Sequence, residues 1–127
     1  MKIKRVTYFS LIFCLLAVSV RTFGHHGTVA YDPQQKVTLK GTITNFEWTN
    51  PHSQVHLDVT GDNGNVVHWN FEAQPPNILV HAGWTRGSLK PGDQVTIVGT
   101  RAKNGAPIGI IQEVVLANGR ELTMTEK

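Results

Sequence analysis

The sequence predicts an all-β fold with one short helix. Three observations predict it. Apolar and polar residues alternate with period two through several short stretches rich in Val, Ile and Thr. Gly61-Asp62-Asn63-Gly64 and Asn118-Gly119 mark tight turns between such stretches, because glycine and asparagine tolerate positive φ. Pro75 and Pro76 precede a short apolar run closed by Gly83, a pattern of one or two helical turns.

The first strand is expected from Lys36 to about Phe46, where Val37, Leu39, Gly41 and Ile43 alternate with Thr38, Lys40, Thr42 and Thr44. The second runs from Gln54 to Thr60, with Val55, Leu57 and Val59 on one face. After the turn, the third runs from Val66 to Glu72 and turns Val67, Trp69 and Phe71 inward. Ile78 to Gly83 forms the helix. Pro91-Gly92-Asp93 turns into a fourth strand, Gln94 to Arg101. A fifth covers Ile108 to Leu116, and Arg120 to Met124 returns as a short edge strand.

Three strands, a helix, then two or three strands is the order of an OB-like β-barrel of five to six strands, with the helix between strands three and four plugging one end. A small β-sandwich is the rival, but it wants more strands. The expected core is Leu39, Ile43, Leu57, Val59, Val67, Trp69, Phe71, Val95, Ile97 and Val114, with Ile78 and Leu79 as the plug.

Ahead of this domain lies a different kind of sequence. Met1 to Arg5 is short and basic, Val6 to Val20 is apolar, and the chain turns polar at His25-His26. These are the three parts of a secretory signal. The apolar run is short for a membrane span, which takes ~20 residues; a permanent anchor helix is the alternative. Cleavage after Gly24 fits the small residues Thr22 and Gly24, and cleavage after Ser19 fits Ala17 and Ser19. The expectation is a signal peptide at residues 1–24, a single domain at 25–127, and a periplasmic location. Export would leave no membrane span.

Removing the leader changes the composition. The only cysteine, Cys14, leaves with it, so the mature chain has no disulfide and no thiolate metal site. Lys2, Lys4, Arg5 and Arg21 leave too, and of 12 basic residues the remaining 8 face all 9 acids, a formal net charge of −1. Nucleic-acid binding needs clustered positive charge, so it is not expected.

All six histidines lie beyond the leader. At a mature N-terminus, the amine and ring Nδ1 of His25 can close a chelate on one ion. His26 and His52 add imidazoles, and a nitrogen-rich set suits copper. The competing reading is a solvated tail and a locally bonded loop histidine. His56 and His68 share a strand face with Asp58, Asn70 and Glu72, a second set able to hold zinc or simply to form a polar outer face. Trp48 and Trp84 flank turns, beside Asn50, His52 and Arg86. With Glu72 these residues form a candidate site for a small molecule or peptide, or the two rings cap the ends of the fold. Ser53 and Ser88 stand in no nucleophile motif.

His25-His26-Gly27, Trp48-Thr49-Asn50-Pro51-His52, Trp69 with Glu72, and Gly83-Trp84 together carry a resemblance. The chain resembles a family of small exported bacterial proteins of unknown function. The resemblance implies a periplasmic location and supplies no activity; His56, His68 and His81 match no position of its pattern. The functional expectation is therefore a non-enzymatic binding module for a small molecule, a peptide or a metal ion. The alternative is a copper-dependent redox enzyme using His25.

Overall fold

The computed structural model describes residues 30–126. In chain order the elements are β1 (Tyr31–Glu47), β2 (Gln54–Thr60), β3 (Val66–Glu72), α1 (Pro76–His81), β4 (Gln94–Ala102), β5 (Ile108–Leu116) and β6 (Glu121–Thr123). The strands β2, β3 and β5 begin and end where the alternation predicts. β1 begins five residues earlier than expected. Tyr31 pairs with Ala102, and regular pairing with β4 resumes at Lys36 opposite Thr100 after a register irregularity. Pro33 lies in that interval and has no N–H to give a ladder, which erases the sequence signal there.

The helix also begins earlier, at Pro76, whose fixed φ suits a first turn. It ends in a two-bond cap. Gly83 N–H donates to the Val80 carbonyl at 3.0 Å, and Trp84 N–H donates to the Leu79 carbonyl at 2.9 Å. Gly83 has φ +84°, the left-handed value this cap requires. The cap sets Leu79 and Trp84 together, and both are fully buried.

The sheet order is β3-β2-β1-β4-β5-β6, antiparallel throughout except for a parallel pairing between β3 and β5. That pairing joins the two ends of the five-strand run, so β1 to β5 form a closed ring of pairings. β1 is long enough to serve two neighbours: Lys36 to Thr42 pair with β4, and Thr42 to Glu47 pair with β2. Gly109 sits at the closure, opposite Phe71 on one side and Arg101 on the other.

The core lies inside the ring and is built from Ile43, Val55, Leu57, Trp69, Phe71, Leu79, Trp84, Val95, Ile97, Ile111 and Val114, among others. Leu39 and Val59 pack against it only partly buried. Trp69 stacks on Phe71 with ring centroids 5.4 Å apart, and the Arg101 guanidinium lies 5.4 Å from the Trp69 ring. Two expected core residues are not core. Val67 is 44% exposed, because β3 gains β5 as a neighbour only from Asn70 onward and Val67 lies beyond the closed part of the ring. Ile78 is 38% exposed, because a six-residue helix turns only Leu79 into the core; Leu79 and Trp84 form the plug instead. Among the described residues no helix is long and apolar enough to cross a membrane.

Candidate functional site

Strand alternation builds a polar outer face on β1, β2 and β3. With Val55, Leu57, Trp69 and Phe71 turned inward, the intervening Gln54, His56, Asp58, His68, Asn70 and Glu72 turn outward. The register sets Gln54 opposite Glu72, His56 opposite Asn70 and Asp58 opposite His68. Glu47 of β1 lies opposite Gln54 on its other side.

Three imidazole–carboxylate pairs occupy this region. His52 Nδ1 lies 2.6 Å from Glu72 Oε1, His56 Nε2 lies 2.8 Å from Glu47 Oε1, and His68 Nδ1 lies 2.6 Å from Asp58 Oδ1. An ionised carboxylate only accepts hydrogen bonds, so in each pair the contacting ring nitrogen carries the proton. For a neutral ring the other nitrogen then holds a free lone pair. That atom is Nε2 in His52 and His68, and Nδ1 in His56. Such exposed pairs add little to stability, ~0–1 kcal/mol each, so their interest is chemical.

His52 is the member in a loop rather than a strand, and its side chain is 48% exposed. Glu72 beside it ends β3, where that strand pairs with both Gln54 and Ile110. The Glu72 carboxylate also acts on Tyr31 at the start of β1. The Tyr31 phenol is held above its ordinary value of 10.0, first by burial and second by the Glu72 charge. Ala30, one residue earlier, is anchored by accepting a hydrogen bond from Lys103 N–H at 2.9 Å. His52, Glu72 and the entry into β1 therefore form one corner of the molecule.

The other candidates are distributed differently. Trp84 is 1% exposed and donates its indole N–H to the Thr123 carbonyl at 2.7 Å, so its ring is core and offers no face to a ligand from solvent. Trp48 is half-buried and meets Phe46 edge-on, with centroids 5.8 Å apart; Phe46 in turn lies 5.9 Å from Trp84. Asn50 is exposed in the loop before His52, and Arg86 is exposed in the loop after Trp84. Ser53 is fully buried, on the opposite side of the chain from His52. His25 and His26 lie outside the described residues.

Of the two readings of His56, His68 and a carboxylate, the zinc set is not assembled. The two histidines lie diagonally, in adjacent rows, and each is tied to its own carboxylate. Among the described residues no group of three or more His, Cys, Asp or Glu could hold a metal ion. The Glu47 and Glu72 carboxylates are likewise separated, with Gln54 on the strand between them and each bonded to a histidine. An open hollow of about 360 Å³ over Lys40, Gln94, Thr96, Val115 and Leu116 contains none of the candidate residues.

The family model of DUF6152, described as a family of unknown function, matches residues 13–112. The chain belongs to that family. No curated protein matches it. The DUF6152 match covers the whole His52, Glu72 and Tyr31 corner and ends within β5, leaving β6 outside.

Within the DUF6152 region, Tyr31 is the site neighbour that sequence reasoning did not single out. It precedes the expected strand start, and its proximity to Glu72 is created by the ring closure rather than by any spacing along the chain. The pairing of Glu47 with His56 is similar: nine residues separate them, and only the β1–β2 register brings them together.

Proposed function

We propose that the protein is an exported, non-enzymatic binding module on an OB-like barrel, and that it holds a metal ion between its mature N-terminus and His52. The barrel reading is supported by the strand order, the parallel β3–β5 closure and the helix between β3 and β4. The export reading rests on the basic, apolar and polar parts of residues 1–24.

The observation that carries the metal reading is the corner where His52 meets Glu72 beside the start of β1. His52 Nε2 has a free lone pair there, and the chain enters β1 within the influence of the same Glu72 charge. Five residues separate His25 from Ala30, enough to reach up to roughly 17 Å when extended. A terminal amine, one or two terminal imidazoles and His52 make a nitrogen-rich set of the kind copper(II) prefers. Burial of Trp84 weakens the competing picture of an aromatic cleft for a small molecule or peptide.

The test is a copper(II) titration of two chains, one beginning at His25 and one carrying an additional alanine before it. Among the described residues every strand and helix lies within residues 31–123, so neither chain loses a described element. The extra residue displaces the amine from the chelate and should weaken binding by at least about tenfold, ~1.4 kcal/mol. Binding should also fall below about pH 6, where a terminal amine and imidazole ordinarily both protonate. Equal affinity in the two chains would exclude the terminal chelate.

A further inference from the structure

β3 has a closed half and an open half. Its odd-numbered residues turn their backbone groups toward β2. Bonds at the two ends of that ladder show this: Gly61 N–H donates to the Asn65 carbonyl at 2.8 Å, and Ala73 N–H donates to the Ser53 carbonyl at 2.9 Å. The even-numbered residues turn theirs the other way, and Asn70 N–H there donates to the Pro107 carbonyl at 3.0 Å. The ladder with β5 starts at Asn70 opposite Ile108. It stops there for a covalent reason. The next donor in line would be the nitrogen of Pro107, which has no hydrogen to give to the His68 carbonyl. Among the described residues no strand pairs with this edge at Val66 or His68.

We infer that this open edge pairs with itself: a second copy of the chain adds its own Val66 to Trp69 antiparallel to the first, about a two-fold axis at Val67. The edge is self-complementary. Val66 and His68 each present one N–H and one C=O. The two-fold sets Val66 opposite His68 of the second copy, so every one of these groups gains a partner. Val67 then faces Val67 of the second copy across the axis, with Cβ atoms ~4.5–5.5 Å apart. Val66 is 48% and Val67 44% exposed in the single chain, so the pairing covers apolar surface that the barrel leaves open.

Charge favours a second copy as the occupant. No Lys, Arg, Asp, Glu or Pro guards the stretch from Asn65 to Trp69, although natural edges are commonly blunted in that way. The free edge at β6 is only three residues long and carries Glu121. The antiparallel register also brings the β2–β3 turn of each copy, with Asp62, toward the β4–β5 turn of the other, with Arg101 and Lys103. None of those three charges enters an ion pair within one copy. Such an interface is isologous and closed, which ends growth at the dimer.

The experiment is sedimentation of the chain beginning at His25 over a concentration series, with amide hydrogen exchange at both ends of it. The parent should pass from monomer to dimer. Exchange at Val66 and His68 should slow as it does so, while the Val67 and Trp69 amides, already facing β2, should not change. Val67→Lys and Val67→Glu each set like charges on the axis and should weaken the dimer at least about tenfold. Mixing the two should restore it, because Lys then faces Glu. Val67 is an exposed residue, so both variants should keep the fold, which thermal melts check.

A parent that stays monomeric throughout overturns the inference and leaves the edge to an extended segment of another protein. A dimer that Val67→Lys leaves intact, or a mixture that restores nothing, places any interface elsewhere and overturns it too. The exchange comparison uses the parent alone, so it decides the matter even where a variant fails to fold.

Discussion

Trp84 donates its indole N–H to the carbonyl of Thr123, 39 residues further along the chain, across 2.7 Å. The bond ties the loop after α1 to the last strand, under a ring that is almost wholly buried. Trp84→Phe keeps most of the apolar volume but leaves the carbonyl without its donor, at an expected cost of ~1–3 kcal/mol. Trp84→Ala adds a cavity and should cost ~3–5 kcal/mol. Urea unfolding of both variants checks the order. A Trp84→Phe chain as stable as the parent would mean that the bond contributes nothing.

Gly109 has no room for a side chain. A Cβ there would lie 2.6 Å from Cε1 of Phe71 and 2.5 Å from the Thr100 carbonyl oxygen. One contact is a core ring and the other is backbone, so neither yields easily. Gly109→Ala should therefore destabilise by at least ~1–3 kcal/mol, the usual range for overpacking. Thermal unfolding measures it, and an unchanged melting temperature would show that the ring closure between β3 and β5 is looser than the contacts imply.

Trp69 and Val67 are both turned inward by alternation, yet they should behave oppositely. Trp69 is buried, stacked on Phe71 and covered by Arg101. Trp69→Ala should cost ~3–5 kcal/mol, a large part of the ~5–15 kcal/mol a domain has. Val67→Ala, at an exposed position, should change stability by about 0.5 kcal/mol or less. Comparable losses in the two variants would contradict the exposed end of β3.

Tyr31 gives a pH-dependent readout of the candidate site. Its phenol is raised above 10.0 by burial and then by Glu72, so folding favours the neutral form. The associated stability is present in full below about pH 10 and is lost as pH rises through the higher folded value. The sequence has two tyrosines, Tyr8 and Tyr31, so a chain lacking residues 1–24 reports Tyr31 alone in an ultraviolet titration. Glu72→Gln should lower its midpoint part of the way, leaving the contribution of burial. A midpoint at or below 10 in the folded parent chain would refute the arrangement.

Much of this molecule was legible in the sequence because a half-buried strand writes its periodicity directly into the residues. Val55, Leu57, Trp69 and Phe71 alternate with Gln54, His56, Asn70 and Glu72, so β2 and β3 and their outer polar face could be read off the chain. Gly83 likewise announced the end of α1, since the cap there needs a left-handed backbone. The start of β1 was not legible, because Pro33 interrupts the ladder that Tyr31 nevertheless joins. The exposure of Val67 was hidden for another reason. Alternation reports which face a side chain takes, and says nothing of whether a neighbouring strand covers that face.

The sequence by itself determined the β class, the order of strands and helix, the leader-like start, and a set of histidines with no cysteine after Cys14. These are properties of local pattern and composition. Only the tertiary structure decided that Trp84 is core, that each strand-borne histidine is tied to a carboxylate, and that His52, Glu72 and Tyr31 share a corner. Those relationships join residues brought together by register and by the parallel meeting of β3 with β5. A contact between distant residues depends on how the strands close around one core, and that closure is settled by packing the whole chain at once.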